Sequence, residues 1–139
     1  MTERETAVFH LCRHYQVQIL YLFGSRAQEA RAWLKGATAV FPSSESDLDV
    51  GVKTAVALTV RQKVELTQAL EDLFSVQRVD LVVLNDADPF LAANIIRGEM
   101  VFADDKYLAA EYDLYVLRRA GDLIPLERER QALILREDE

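Results

Sequence analysis

Three aspartates and one Gly-Ser pair carry the chemistry that this sequence offers. Asp47 and Asp49 stand in the run Ser46-Asp47-Leu48-Asp49, and Asp80 interrupts the apolar run Val79-Asp80-Leu81-Val82-Val83-Leu84. Side chains alternate faces along a strand, so Asp47 and Asp49 project to one side while Leu48, Val50 and Val52 project to the other. Two carboxylates held side by side with little water repel each other. A cation relieves that repulsion, and a hard one such as Mg2+ takes oxygen ligands. Asp80, set among apolar neighbours, is costly to bury unless a partner or a metal meets its charge. Arg78, two residues away on the same face, is the ion-pair partner to expect if no metal does so.

Gly24-Ser25 follows the apolar run Val17 to Phe23. Glycine permits a tight turn with backbone close to a ligand. A helix opening at Ser25, as its N-cap or first-turn residue, presents free N–H groups and partial positive charge, which suit phosphate. Each piece alone also reads blandly, as a turn and cap, a solvated strand edge or an ion pair. Together they point to metal-dependent transfer from a nucleoside triphosphate.

The elements that must position these residues follow from periodicity and capping. Thr2 to Tyr15 reads as a helix, with a Thr2–Glu5 capping box and an apolar stripe of Ala7, Val8, Leu11, Cys12 and Tyr15. Val17 to Phe23 reads as a strand whose far end is apolar on both faces, as an inner strand is. Ser25 to about Trp33 reads as a helix, and Leu34 to Glu45 as irregular, with Ala39-Val40-Phe41 at most a brief strand. Asp47 to Val52 is the second strand. Thr59 to Phe74 is the clearest helix, with a Thr59–Gln62 capping box and an apolar face of Val60, Val64, Leu66, Ala69, Leu70, Leu73 and Phe74. Gln77 to Leu84 is the third strand. Asp88-Pro89 starts a helix that Gly98 ends. Met100 to Ala103 is a short edge strand. Asp104 is expected to cap a helix from Asp105 to about Ala120, stopped by Gly121. A last helix is expected to start near Pro125, with Leu126, Ala132, Leu133 and Leu135 apolar and a solvated end, Glu137-Asp138-Glu139.

The bulk properties narrow the field. At 139 residues, half of them hydrophobic, the chain is most simply one domain with a proper core. The single Cys12 excludes an intrachain disulfide and reads as a small core residue. No stretch approaches the ~20 apolar residues of a membrane span. The N-terminus lacks a basic region followed by an apolar one, so cytoplasm is the expected location. A net charge of −7 weighs against a broad nucleic-acid groove. It is compatible with a small nucleotide whose phosphates a metal screens. Tyr107, Leu108, Ala109, Tyr112, Tyr115, Val116 and Leu117 give one helix more apolar and aromatic area than a single buried face needs. Core packing is one reading, and a surface for another helical protein is the other.

With Gly24-Ser25, Asp47-x-Asp49 and Asp80 on three strands in this order, the chain resembles the minimal nucleotidyltransferases of the DNA polymerase β-like superfamily. The matching stretches are LFGS, Ser25-Arg26-Ala27, SDLDV and VDLVVL, within about Val17 to Leu84. The resemblance implies an α/β (α+β) fold, a mixed sheet with helices packed on it. It implies one nucleotidyltransferase domain over 1–139, with a catalytic core of about 17–84 and a helical C-terminal extension of about 88–139. It implies two Mg2+ ions, with ATP or another nucleoside triphosphate as donor. Gly24 and Ser25 would hold the β- and γ-phosphates, with charge from Arg26. Asp47 and Asp49 would ligate the metals. Asp80 would complete one metal site and help activate the acceptor hydroxyl. Two metals clamp the attacking and leaving oxygens of an in-line displacement, and pyrophosphate leaves.

Small members of this family are similar to the antitoxins of toxin–antitoxin pairs with HEPN-domain ribonucleases. There AMP passes from ATP to a tyrosine of the toxin and silences it. Two alternatives stand beside that expectation: a small-molecule (antibiotic-type) nucleotidyltransferase, and a non-catalytic module that neutralises its partner by occlusion. One departure from the family pattern matters. Twenty-one residues separate Ser25 from Asp47, more than the family usually has. The extra segment, roughly Trp33 to Ser44, must loop out, which a surface loop tolerates. Covering the nucleotide, contacting the partner or closing the site are its expected roles.

Overall fold

A computed structural model describes residues 1–41 and 46–137. The inner strand expected from its two apolar faces, β1 (Val17–Phe23), is the hub of a four-stranded sheet. The strand order is β3-β2-β1-β4, with β2 at Leu48–Thr54, β3 at Val79–Val83 and β4 at Glu99–Ala103. β1 runs antiparallel to both β2 and β4, while β2 and β3 run parallel. A parallel pair needs a crossover, and α3 (Val60–Phe74) supplies it.

Alternation along the strands divides the apolar side chains between two cores. Leu20, Leu22, Val50 and Val52 face one way and pack on Val8 and Cys12 of α1 (Glu3–His14), Ala30 and Leu34 of α2 (Ala27–Leu34), and Leu66, Leu70 and Phe74 of α3. Ile19, Tyr21 and Phe23 face the other way. They meet Ala92, Ala93 and Ile95 of α4 (Pro89–Ile96) and Ala109, Val116 and Ala120 of α5 (Lys106–Glu137). Helices thus cover both faces of a mixed sheet. β4 pairs along β1, so the sheet extends beyond Leu84.

Both expected capping boxes form, Thr2 with Glu5 and Thr59 with Gln62. Asp88 caps α4 through the N–H groups of Phe90 and Leu91, with Pro89 in the first turn. Other expectations give way. Ser25 neither caps α2 nor lies within it. The Ala27 N–H donates to the Gly24 carbonyl at 3.4 Å, closing a turn with Ser25 at its corner, and the helix starts at Ala27. Ala39–Phe41 forms no strand. Asp105 rather than Asp104 caps α5, accepting from Tyr107 and Leu108. Asp104 is drawn instead to Arg13, 2.8 Å away. Val60 and Val64 lie on the solvent side of α3, because the helix docks through Leu66, Leu70 and Phe74. Ala7 is likewise exposed.

Gly121 does not stop α5, which continues past Pro125 to Glu137 as one helix. The strong helix formers from Leu126 to Glu137 outweigh one glycine at ~1 kcal/mol and one proline at ~3 kcal/mol. Asp138, Glu139 and residues 42–45 of the insertion lie outside the described residues, as do the side chains of Leu126 and Leu135. Among the described residues, no helix is long and apolar enough to cross a membrane.

Candidate active site

One end of the sheet, across all four strands, gathers the expected residues. β1 ends there at Phe23, and β2, β3 and β4 all begin there. Asp49 pairs in register with Phe23 on one side and with Asp80 on the other. Residues paired in register share a sheet face, so the two carboxylates stand side by side on neighbouring strands. Burial pushes the Asp49 carboxyl above its ordinary range, and the charges of Asp80 and Asp47 add to the shift.

Gly24 takes a left-handed conformation, φ +76°, and a Cβ there would collide with Asp49 Oδ2. Only glycine lets the turn and this carboxylate approach so closely. Ser25 is exposed beside them.

Asp80 is exposed rather than buried, because β3 is the edge strand of the sheet. Arg78 does not pair with it. Its Nε lies 3.9 Å from Asp47 Oδ2, just ahead of β2. Among the described residues, no three His, Cys, Asp or Glu side chains are arranged to hold a metal ion. The donor set nevertheless suits Mg2+, which typically uses one or two carboxylates, substrate phosphates and water rather than an all-protein cage. The mutual repulsion of the three carboxylates at Asp49 is what such an ion relieves.

Arg26 is 3% exposed. Its Nε donates to Glu29 Oε1 at 2.8 Å, its Nη1 reaches the Ser46 carbonyl at 3.4 Å, and its guanidinium lies 4.2 Å from the centre of the Phe41 ring. The side chain therefore ties the Gly-Ser turn to the segment entering β2. The described start of the insertion is fixed elsewhere. Arg4 of α1 donates to the carbonyls of Trp33, Thr38 and Ala39 at 2.7, 2.9 and 2.9 Å, and Phe41 packs against Phe74 of α3. This holds residues 34–41 on the α1–α3 side of the sheet.

On the α4 side, a cleft of about 310 Å³ opens beside the turn, lined by Gly24, Ser25 and Gln28 on one wall and Asn94, Arg97 and Glu99 on the other. Sequence reasoning missed Gln28, Asn94 and Arg97. They come from α2 and the end of α4, and only the pairing of β4 with β1 brings the two walls together.

A mixed sheet with a Gly-Ser turn beside paired carboxylates defines a class. Residues 7–107 match the profile of the polymerase beta nucleotidyltransferases, and the chain belongs to that family. Within it, the chain falls among the minimal nucleotidyltransferases, with the polymerase-beta-like fold and a helical C-terminal part. No curated protein matches it. Solved structures do. A chain of a mutant MntA-HpeT toxin–antitoxin complex is 25% identical, with 94% of each chain covered and a TM-score of 0.64. A chain of a toxin–antitoxin complex with AMP-PNP is 26% identical, with 94% of each covered and a TM-score of 0.63. A chain of the tri-AMPylated Shewanella oneidensis HEPN toxin in complex with MNT antitoxin is 25% identical, with 94% of this chain and 92% of that one covered and a TM-score of 0.59.

Proposed function

We propose that this nucleotidyltransferase moves AMP from ATP, with Mg2+, to a hydroxyl of a HEPN-domain toxin in the cytoplasm, a tyrosine of that protein, and so acts as its antitoxin. The observation that carries the reading is the placement of Asp49 against Gly24 on one side and beside Asp80 on the other. It puts metal-type oxygen donors next to a phosphate-type turn. The structural relatives with AMP-PNP and with an AMPylated toxin support both the donor and the acceptor class.

In this reading the whole chain works as one domain. The backbone at Gly24 and Ser25 holds the β- and γ-phosphates. Asp47, Asp49 and Asp80 provide oxygen ligands for Mg2+, which when bound neutralises developing charge at the α-phosphorus. Release of Asp47 from Arg78 brings the third carboxylate in. Asp80, exposed on the edge strand, faces the arriving acceptor and orients its hydroxyl. Arg26 acts as a positioning residue through Ser46. The acceptor hydroxyl gives its proton to the Asp80 carboxylate, its oxygen bonds to the α-phosphorus, the α–β bridging bond breaks, and pyrophosphate leaves. The exposed Tyr107, Leu108, Leu114, Tyr115 and Leu117 of α5 form the partner surface.

Occlusion without transfer is the second reading, favoured by the ion pair that sets Asp47 against Arg78 rather than against a metal. Mass spectrometry of the co-expressed partner distinguishes the two. One or more AMP adducts with wild type, absent with Asp47→Asn/Asp49→Asn, are the expected result. No adduct with either form, despite a stable complex with ATP and Mg2+ present, would leave occlusion standing.

A further inference from the structure

We propose that Arg97 receives the terminal phosphate of the donor and makes the protein select nucleoside triphosphates over diphosphates. This rests on reading Gly24-Ser25 as the phosphate turn. The strand order lays Asp80, Asp49, the Gly24 turn and the start of β4 in a row across one end of the sheet. Neighbouring strands are ~4.8 Å apart. A phosphate chain with its α-phosphorus at Asp49 and Asp80 therefore crosses Gly24-Ser25 and ends one strand further on, where Arg97 lines the cleft.

The charges there favour this direction. Arg97 and Glu99 are the ionisable residues lining the cleft, and the Glu99 carboxylate lies 3.5 Å from Arg31. The Arg97 side chain is exposed and makes no hydrogen bond or ion pair among the described residues. The nearer arginine in sequence, Arg26, is buried against Glu29. Arg97 also offsets the carbonyl end of α4, whose partial negative charge would repel phosphate. Its place is fixed by Gly98, where a Cβ would collide with the Leu22 carbonyl oxygen, so the chain after Arg97 lies directly against β1. A guanidinium suits a terminal phosphate, which it can hold bidentately.

Titration calorimetry with Mg2+ tests the assignment, using AMP-PNP and ADP as probes on wild type, Arg97→Ala and Arg97→Lys. Wild type is expected to bind AMP-PNP more tightly than ADP. Arg97→Ala should weaken AMP-PNP by about 10- to 100-fold while leaving ADP nearly unchanged, and Arg97→Lys should recover part of the loss. A wild-type preference that survives in Arg97→Ala overturns the role of Arg97 and leaves the phosphate turn intact. Failure of wild type to bind AMP-PNP at all removes the phosphate turn and Arg97 with it.

Discussion

Tyr21, fully buried in the middle of β1, donates its hydroxyl to the carboxylate of Asp113 on α5. One polar contact thus joins the central strand to the helix that carries the exposed apolar surface. Burial drives the Tyr21 hydroxyl upward in pKa, and Asp113 reinforces the shift. Burial also raises Asp113, against the opposing effect of the Tyr21 hydrogen bond.

Tyr21→Phe should be destabilising even though it removes a single oxygen. It leaves Asp113 half-buried without its donor, which costs about 1–3 kcal/mol. Urea unfolding of wild type and variant measures the loss directly. Equal midpoints would show that water meets the carboxylate equally well.

Asp113 also makes a pH prediction with a definite sign. Its folded pKa stands above the ordinary 3.8. A carboxyl raised on folding contributes stability that is fully present below its unfolded pKa and lost as pH rises through the folded one. Asp113→Asn lacks that titration. The stability of wild type minus that of Asp113→Asn should therefore fall as pH rises from below the ordinary 3.8 through the raised folded value, read from denaturation at each pH. A difference that rises with pH would reverse the assignment.

Asp49→Asn should separate stability from activity. The half-buried carboxyl is crowded by Asp80 and Asp47, so the metal-free variant should melt at a higher temperature than wild type. If the proposed function holds, AMP transfer should drop by about 100-fold or more, because a proposed oxygen ligand for Mg2+ has gone. Differential scanning fluorimetry without metal, and an assay of transfer with it, read the two effects. A variant both less stable and fully active would contradict the placement of this carboxylate.

Gly24→Ala tests the close approach of turn and carboxylate. The left-handed backbone and the collision with Asp49 should cost about 1–3 kcal/mol. Displacement of Asp49 by even ~1 Å should lower transfer by about 100-fold. Comparing turnover at temperatures where the variant is fully folded isolates the second effect.

Much of this architecture is legible in the residues themselves. Apolar residues on both faces of Val17–Phe23 mark an inner strand, and the Thr2 and Thr59 capping boxes mark two helix starts. Gly24, just after β1, and Asp80, on β3, each stand beside Asp49 of β2. What escapes is set by tertiary pairing. The run VDLVV does not say that β3 lies at the sheet edge, so the exposure of Asp80 and the choice of Asp47 by Arg78 are invisible locally. Arg97 has no motif at all. It matters only because β4 returns to β1. Asp104 and Asp105 are equivalent as caps in sequence, and Arg13 on α1 decides between them. Gly121 resembles a stop, but the downstream helix formers carry the helix through.

The return of β4 to β1 also sets an order of events at the ribosome. β1 emerges early, and its partner on that edge is made only after most of the chain has followed. Until then the most apolar strand offers an open row of N–H and C=O groups, a template for pairing with other chains. Long-range closure of this kind slows folding. A nascent or truncated chain that ends before Ala103 should therefore be prone to aggregate, whatever the condition of its aspartates.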